Sequence, residues 1–208
     1  YNADGGEAEM CGNGARCFGN FAAALLHHDK TAPLPFETMA GVVTATFEKD
    51  DNVTVNLTNP HSMQLFVLNA DPTVGADVHF LNTGVPHAVA FLDKLEGLDI
   101  SRLGAYLRYH EAFSPKGTNA NFARILSPGH IAIRTYERGV EDETLACGTG
   151  ITACALLHAV LTDAPSPIQV DVAGGDTLKV GFQRTGDRFT DVTLTGPADL
   201  VFTGDIQI

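Results

Sequence analysis

The stretch Met10-Cys11-Gly12-Asn13-Gly14-Ala15-Arg16-Cys17 decides the reading of this chain, because its pattern returns as Ala146-Cys147-Gly148-Thr149-Gly150-Ile151. In both copies a Glu (Glu7 or Glu143) stands four residues before the first Cys, a Cys-Gly-x-Gly turn follows, and an Ala/Leu-rich run carrying a second Cys begins. Each copy reads as a cysteine at the mouth of a helix. The first N–H groups of a helix lack internal partners and carry the positive end of its dipole, so a thiolate is stabilised there. A free thiol ionises near ~8.5 and helix N-termini lower that value, which marks Cys11 and Cys147 as candidate reactive groups. The flanking glycines let backbone approach a ligand and expose N–H groups to a carboxylate. Two such sites, one per copy, are expected to face one substrate.

Composition bounds the rest. A chain of 208 residues fits one or two domains, and the internal duplication favours two. Charged residues are 18% and hydrophobic ones 44%, which suits a folded enzyme and not a disordered tail. The net charge of −12 argues against a phosphate backbone as partner, so no nucleic acid is expected. No apolar run approaches the ~20 residues of a membrane span and no signal-peptide pattern opens the chain, so the expectation is a cytoplasmic protein with no membrane partner. Four Cys in a chain this long do not make a disulfide scaffold, and free thiols are expected. The first residue is Tyr1, close against the first motif, and upstream sequence is expected to be missing.

Taken in order, Tyr1 to Glu9 reads as a loop and Asn13 to His28 as a helix buried on most sides. Pro33 and Pro35 end that region. Gly41 to Phe47 and Asn52 to Leu57 read as strands around a Lys49-Asp50-Asp51 turn, and Asn59-Pro60 breaks the second. The signal from Ser62 to Asp77 is mixed, and a domain crossover is placed there. Strands follow at Val78 to Leu81 and Ala88 to Leu92, then a helix from Asp99 to about His110 with Ile100, Leu103 and Leu107 on its apolar face. Asn121 to Ile125 and His130 to Tyr136 read as strands, Gly150 to Leu161 as the second motif's helix, and four short strands as lying around Gln169, Val180, Val192 and Val201. The pattern is antiparallel sheet wrapped on one central helix, twice.

Asn2-Ala3-Asp4-Gly5-Gly6-Glu7, Cys11 to Cys17, Gly84 to His87, Asn119, Glu137-Arg138-Gly139 and Cys147 to Gly150 together resemble diaminopimelate epimerase over nearly the whole chain. The resemblance implies an α+β fold of two pseudo-symmetric domains, each a mostly antiparallel, β-barrel-like sheet around a central α-helix. These are taken as 1–73 plus 199–208, with its first strands missing, and 74–198. It implies a cofactor-free enzyme interconverting LL- and meso-diaminopimelate for lysine and peptidoglycan biosynthesis, usually a homodimer. No metal is expected, because Cys11/Cys17 and Cys147/Cys154 lack the close spacing of structural zinc ligand pairs.

By the same resemblance Cys11 and Cys147 are the acid/base pair, with His87 and Glu137 in support. The resemblance also makes Asn2, Asn119, Glu137 and Arg138 substrate-binding residues, and the backbone donors at Gly12, Asn13, Gly148 and Thr149 are placed to hold a carboxylate where carbanion charge develops. Inverting a Cα requires removing a proton from one face and returning one to the other, which two opposed groups can do without moving the substrate. Arg138 can grip a carboxylate through two parallel N–H bonds. Cys17 and Cys154 read instead as small buried hydrophobes, and His27 and His28 as surface residues.

Three features depart from the family pattern. Val85 stands where many members carry a substrate-contacting Asn, Glu141-Asp142-Glu143 lengthens the connection from Arg138 to Cys147 by one residue, and the family's opening strands are absent. Two alternatives stay open. A proline racemase or hydroxyproline epimerase shares two-thiol chemistry but typically has His where Asn13 stands and needs no clamp such as Arg138; the other alternative is an inactive fragment of the epimerase.

Overall fold

The computed structural model describes residues 11–49 and 51–204. Along them run α1 (Gly12–Leu25), β1 (Leu34–Thr38), β2 (Gly41–Phe47), β3 (Val53–Asn56), β4 (His61–Asp71), β5 (Ala76–Asn82) and β6 (Pro86–Phe91). Then come α2 (Ile100–Arg108), β7 (Asn119–Ser127), β8 (His130–Glu137), β9 (Asp142–Thr144), α3 (Gly148–Thr162), β10 (Ile168–Asp171), β11 (Thr177–Thr185) and β12 (Arg188–Gly196). The strands form one mixed sheet in the order β1-β2-β3-β12-β11-β10-β8-β7-β6-β5-β4, with β9 paired to β8. Most neighbours are antiparallel, but β6 and β7 run parallel, as do β8 and β10. Parallel neighbours need a crossover, and α2 and α3 are those crossovers.

The period of two along a strand sends alternate residues to opposite faces of the sheet. Ala88, Ala90, Ala120, Phe122 and Tyr136 lie in the core on the α2 side, whereas Val89, Ala123, Ile131 and Ile133 lie in the core around α3. The same alternation carries His87, Asn121 and Thr135 to the α3 side, in register, with His87 opposite Asn119 and Asn121 opposite both Val89 and Thr135. α3 is apolar all round and buried from Gly148 to Ala159. It ends at Asp163, whose φ of 57° turns the chain out of the helix. α2 is capped by Asp99, whose side chain accepts the Arg102 N–H at 3.0 Å, and buries Ile100, Leu103, Gly104 and Leu107.

Several expectations need correction. α1 is not buried on most sides: only Gly12, Ala15, Arg16, Gly19 and Ala23 are covered, while Phe18, Phe21 and Leu25 are exposed. The reason is close approach, since a Cβ built on Gly19 would lie 2.7 Å from the Ala45 Cβ. The small-residue face meets the sheet and the bulky face is left outward. Pro35 does not end a region but sits in β1, an edge strand that tolerates a missing donor. The mixed signal from Ser62 belongs to the long strand β4, at the sheet's edge among the described residues and hydrogen-bonded to β5, with register shifts and positive φ at Ser62, Phe66 and Ala70. Val201 lies in no strand. Among the described residues no helix is long and apolar enough to cross a membrane.

Candidate active site

Both motif cysteines occupy the N-cap position of their helices. Cys11 has φ −136° and ψ 103°, and Cys147 has φ −120° and ψ 109°, the extended backbone an N-cap adopts. The Cys11 carbonyl accepts the Ala15 N–H at 2.9 Å and the Cys147 carbonyl the Ile151 N–H at 2.8 Å, the first turn of each helix. Cys11 Sγ also accepts the Gly14 N–H at 3.3 Å.

The two helix mouths touch. A Cβ built on Gly148 would lie 3.1 Å from the Gly12 Cα, and one on Gly12 would lie 3.5 Å from the Gly148 Cα, with the Leu194 side chain beneath both. Asn13 Nδ2 crosses the junction to donate to the Ala146 carbonyl at 3.2 Å. The thiols, one residue before each glycine, flank this contact, and a charge on Cys11 bears on Cys147.

Their surroundings differ. Cys11 is exposed, whereas Cys147 is 8% exposed. Burial, then the Glu137 carboxylate, push the Cys147 thiol up to about 11, against the opposing pull of the Thr149 hydroxyl, 3.5 Å away, and the Gly150 N–H. The expectation of a lowered thiol at both helix mouths therefore fails at Cys147, where desolvation outweighs the helix terminus. Cys154 is buried as expected, but Cys17 is exposed on the outward face of α1.

His87 is fully buried, and burial followed by the Arg138 charge pulls it down to about 3, so it is neutral at pH 7. Asn121 fixes its tautomer. The Asn121 Oδ1 accepts the Thr135 hydroxyl at 3.0 Å and its Nδ2 donates to the Ala88 carbonyl at 3.0 Å, so that same Nδ2 faces His87 Nδ1 at 3.2 Å. Nδ1 thus accepts and Nε2 carries the proton, with no partner among the described residues. A Cβ at Gly150 would collide with Asn121 Oδ1 and reach His87 Cε1 at 3.3 Å, which shows how closely α3 presses on this pair. Thr83 donates to the Thr149 carbonyl at 2.9 Å, joining the turn before β6 to the same helix mouth.

Asn119 spends both ends of its amide on protein: Oδ1 accepts the Arg138 N–H at 2.8 Å and Nδ2 donates to the Pro86 carbonyl at 3.0 Å. The Arg138 guanidinium donates to the Lys116 carbonyl at 3.4 Å and, among the described residues, pairs with no carboxylate. Arg102, Arg108, Arg124, Arg134 and Arg184 all do. Arg138 lines a cavity of about 590 Å³ with Lys116, Gly84, Pro86, Asn82 and Phe113; neither cysteine reaches it, and Cys11 opens instead on a smaller one of about 260 Å³ beside Phe18 and Phe36. Asn2 and Glu7 lie outside the described residues.

Sequence reasoning missed three residues here. Asn121 and Thr135 gave no motif signal, although their alternation with core positions could have put them on the α3 face. Arg16, inside the first motif, is 5% exposed, donates from Nε to the Pro197 carbonyl at 3.4 Å, and lies within electrostatic reach of Cys17 and Cys11.

The sequence profile of the diaminopimelate epimerase family matches residues 1–63 and 79–201. The chain belongs to that family. The diaminopimelate epimerase of Hydrogenobaculum sp. (strain Y04AAS1) is 43% identical over 98% of this chain and 72% of its own length. That of Aquifex aeolicus (strain VF5) is 42% identical over 100% and 73%. Among solved structures, a probable proline racemase from Agrobacterium radiobacter K84 superposes with a TM-score of 0.66 at 20% identity, over 90% of this chain and 65% of that one. A PhzF-family phenazine biosynthesis protein of Bacillus anthracis gives 0.67 at 13%, over 92% and 74%. At those identities the likeness is one of fold. Cys11, His87, Asn119, Glu137, Arg138 and Cys147 of this diaminopimelate epimerase family member all fall inside the matched residues.

Proposed function

We propose that the chain interconverts LL- and meso-diaminopimelate by two-thiol acid/base catalysis. The observation that carries the reading is the pair of N-cap cysteines on helix mouths that abut through Gly12 and Gly148. In one direction the Cys11 thiolate takes the Cα proton: the C–H bond breaks, an S–H bond forms, and the electron pair spreads into the α-carboxylate. The Cys147 thiol, kept protonated by burial, gives its proton to the opposite face and becomes the thiolate. The reverse direction exchanges the roles.

Backbone N–H groups at Gly12, Asn13, Gly148 and Thr149 hold the α-carboxylate as charge develops. Arg138, with no carboxylate partner among the described residues, binds the distal carboxylate together with Asn2 and the second Nδ2–H of Asn119, whose first is held by the Pro86 carbonyl. Neutral His87 offers its Nε2–H beside the α3 mouth, and Glu137 sets the Cys147 thiol. The reading extends to two pseudo-symmetric units, 1–73 with 199–208 and 74–198, each contributing one motif helix. A homodimer in lysine and peptidoglycan biosynthesis comes with the same family reading.

Incubation with LL-diaminopimelate and chromatographic resolution of the isomers tests it. The expected result is meso product from the parent chain and none from Cys11→Ala or Cys147→Ala. Turnover of proline in place of diaminopimelate would move the assignment to the proline racemase class.

A further inference from the structure

The turn that carries Arg138 is organised by a residue outside both motifs. Glu141 has φ 60°, in the left-handed region that a side chain disfavours. Its backbone N–H and that of Val140 both reach the Glu137 carbonyl, at 2.8 and 3.3 Å, closing a tight turn around Arg138 and Gly139. Its carboxylate then gathers donors from three directions. Oε1 accepts the Gly139 N–H at 3.1 Å and Arg108 Nε at 3.0 Å; Oε2 accepts the hydroxyls of Tyr109 at 3.1 Å and Tyr136 at 3.3 Å.

Two consequences meet at Arg138. Its backbone is held on one side by Asn119 and on the other by the Gly139 N–H bond to Glu141. Its guanidinium shares the Lys116 carbonyl with Arg108, each donating from Nη1 at 3.4 Å. Arg108 is the cation that Glu141 neutralises. Without that carboxylate, two uncompensated guanidinium groups would converge on one carbonyl, and like charges repel at this range.

We infer that Glu141 is a positioning residue for Arg138: it fixes the turn by accepting the Gly139 N–H and neutralises Arg108, so that the Arg138 guanidinium stays free for a dicarboxylate substrate. A strained backbone held by converging partners is the arrangement expected where a loop must keep one conformation for function. The inference rests on the epimerase reading for the identity of the substrate, but not for the geometry of the turn.

The test is a double-mutant cycle with Glu141→Gln, Arg138→Gln and the pair, read as kcat and KM for diaminopimelate, alongside amide exchange at Arg138 and Gly139. Glu141→Gln should raise KM about tenfold with kcat within about twofold, and should add almost nothing once Arg138 is already Gln. The Gly139 amide should exchange faster in Glu141→Gln than in the parent, and Glu141→Asp should recover part of the loss. Unchanged KM in Glu141→Gln, or additive effects in the pair, would overturn the inference. If the parent does not act on diaminopimelate, the epimerase reading falls; unaltered exchange at Arg138 and Gly139 in Glu141→Gln would then overturn the positioning role, and faster exchange would uphold it.

Discussion

Gly12 and Gly148 meet with no side chain between them, a Cβ on the second lying 3.1 Å from the Cα of the first. This contact joins the two copies of the motif and brings the thiols at Cys11 and Cys147 to adjoining helix ends. Both glycines rest on the Leu194 side chain, so the junction is seated on β12.

Gly148→Ala should therefore cost turnover more than stability. The added methyl meets the backbone of Gly12 and must spread the helix mouths by a few tenths of an ångström. Alanine's better helix propensity, up to about 1 kcal/mol, offsets part of an overpacking cost of about 1–3 kcal/mol. Misplacement of catalytic groups by about 1 Å can cost about 10²-fold in rate. A melting temperature lowered by a few degrees with kcat down about tenfold or more is the expected outcome; the reverse pattern, unfolding with normal kcat in the folded fraction, would count against the junction's role.

Thiol labelling should separate the four cysteines into two pairs. Cys11 and Cys17 are exposed, while Cys147 and Cys154 are buried with their thiols pushed up. Brief iodoacetamide treatment at pH 8 followed by peptide mapping should modify Cys11 and Cys17 alone, since alkylation needs the thiolate. Equal modification of Cys147 would contradict the burial that keeps it protonated.

Glu137 raises the Cys147 thiol, so its neutralisation should act in the opposite sense. In Glu137→Gln the alkaline limb of the pH–rate profile for kcat/KM should move to lower pH. An unmoved limb would disconnect Glu137 from that thiol.

His87 ties stability to pH. Its folded value, about 3, lies below its ordinary 6.5, so the unfolded chain binds the proton first as pH falls. Stability from this group is complete above pH 6.5 and declines below it, by at most about 1.4 kcal/mol per pH unit. His79 and His158, also lowered by burial, act in the same direction. Denaturation at pH 6.5 and 5 should show the loss, and His87→Gln should shrink it; stability rising over that interval would contradict the assignment.

The parts of the fold legible in the sequence were those with local signals. The Cys-Gly-x-Gly turns announced two helix starts, the run Gly41 to Phe47 before the Lys49-Asp50-Asp51 turn announced β2, and Asp99 with Ile100, Leu103 and Leu107 announced α2 and its cap. β4 was hidden because bulges and left-handed residues at Ser62, Phe66 and Ala70 break its period of two. The parallel pairings of β6 with β7 and of β8 with β10 are set by where α2 and α3 pack, which no local pattern records. Burial of the motif helices was misread at α1 because its small residues, and not its phenylalanines, face the sheet. At the site, Cys11 and Cys147 stood out by repetition and glycine context, whereas Arg138 was raised by the family resemblance alone. The Asn121 to His87 contact did not, because it joins residues far apart in sequence.

In the proposed mechanism two thiols act on opposite faces of one Cα. Epimerisation begun in D₂O, with deuterium followed in both isomers at early times, tests it most directly. The abstracting thiol still holds the proton it took, while the opposing thiol carries one from solvent. Deuterium should therefore enter the product isomer before it enters recovered substrate, in either direction. Deuterium entering both isomers at the same initial rate would contradict the account and point to a single base serving both faces.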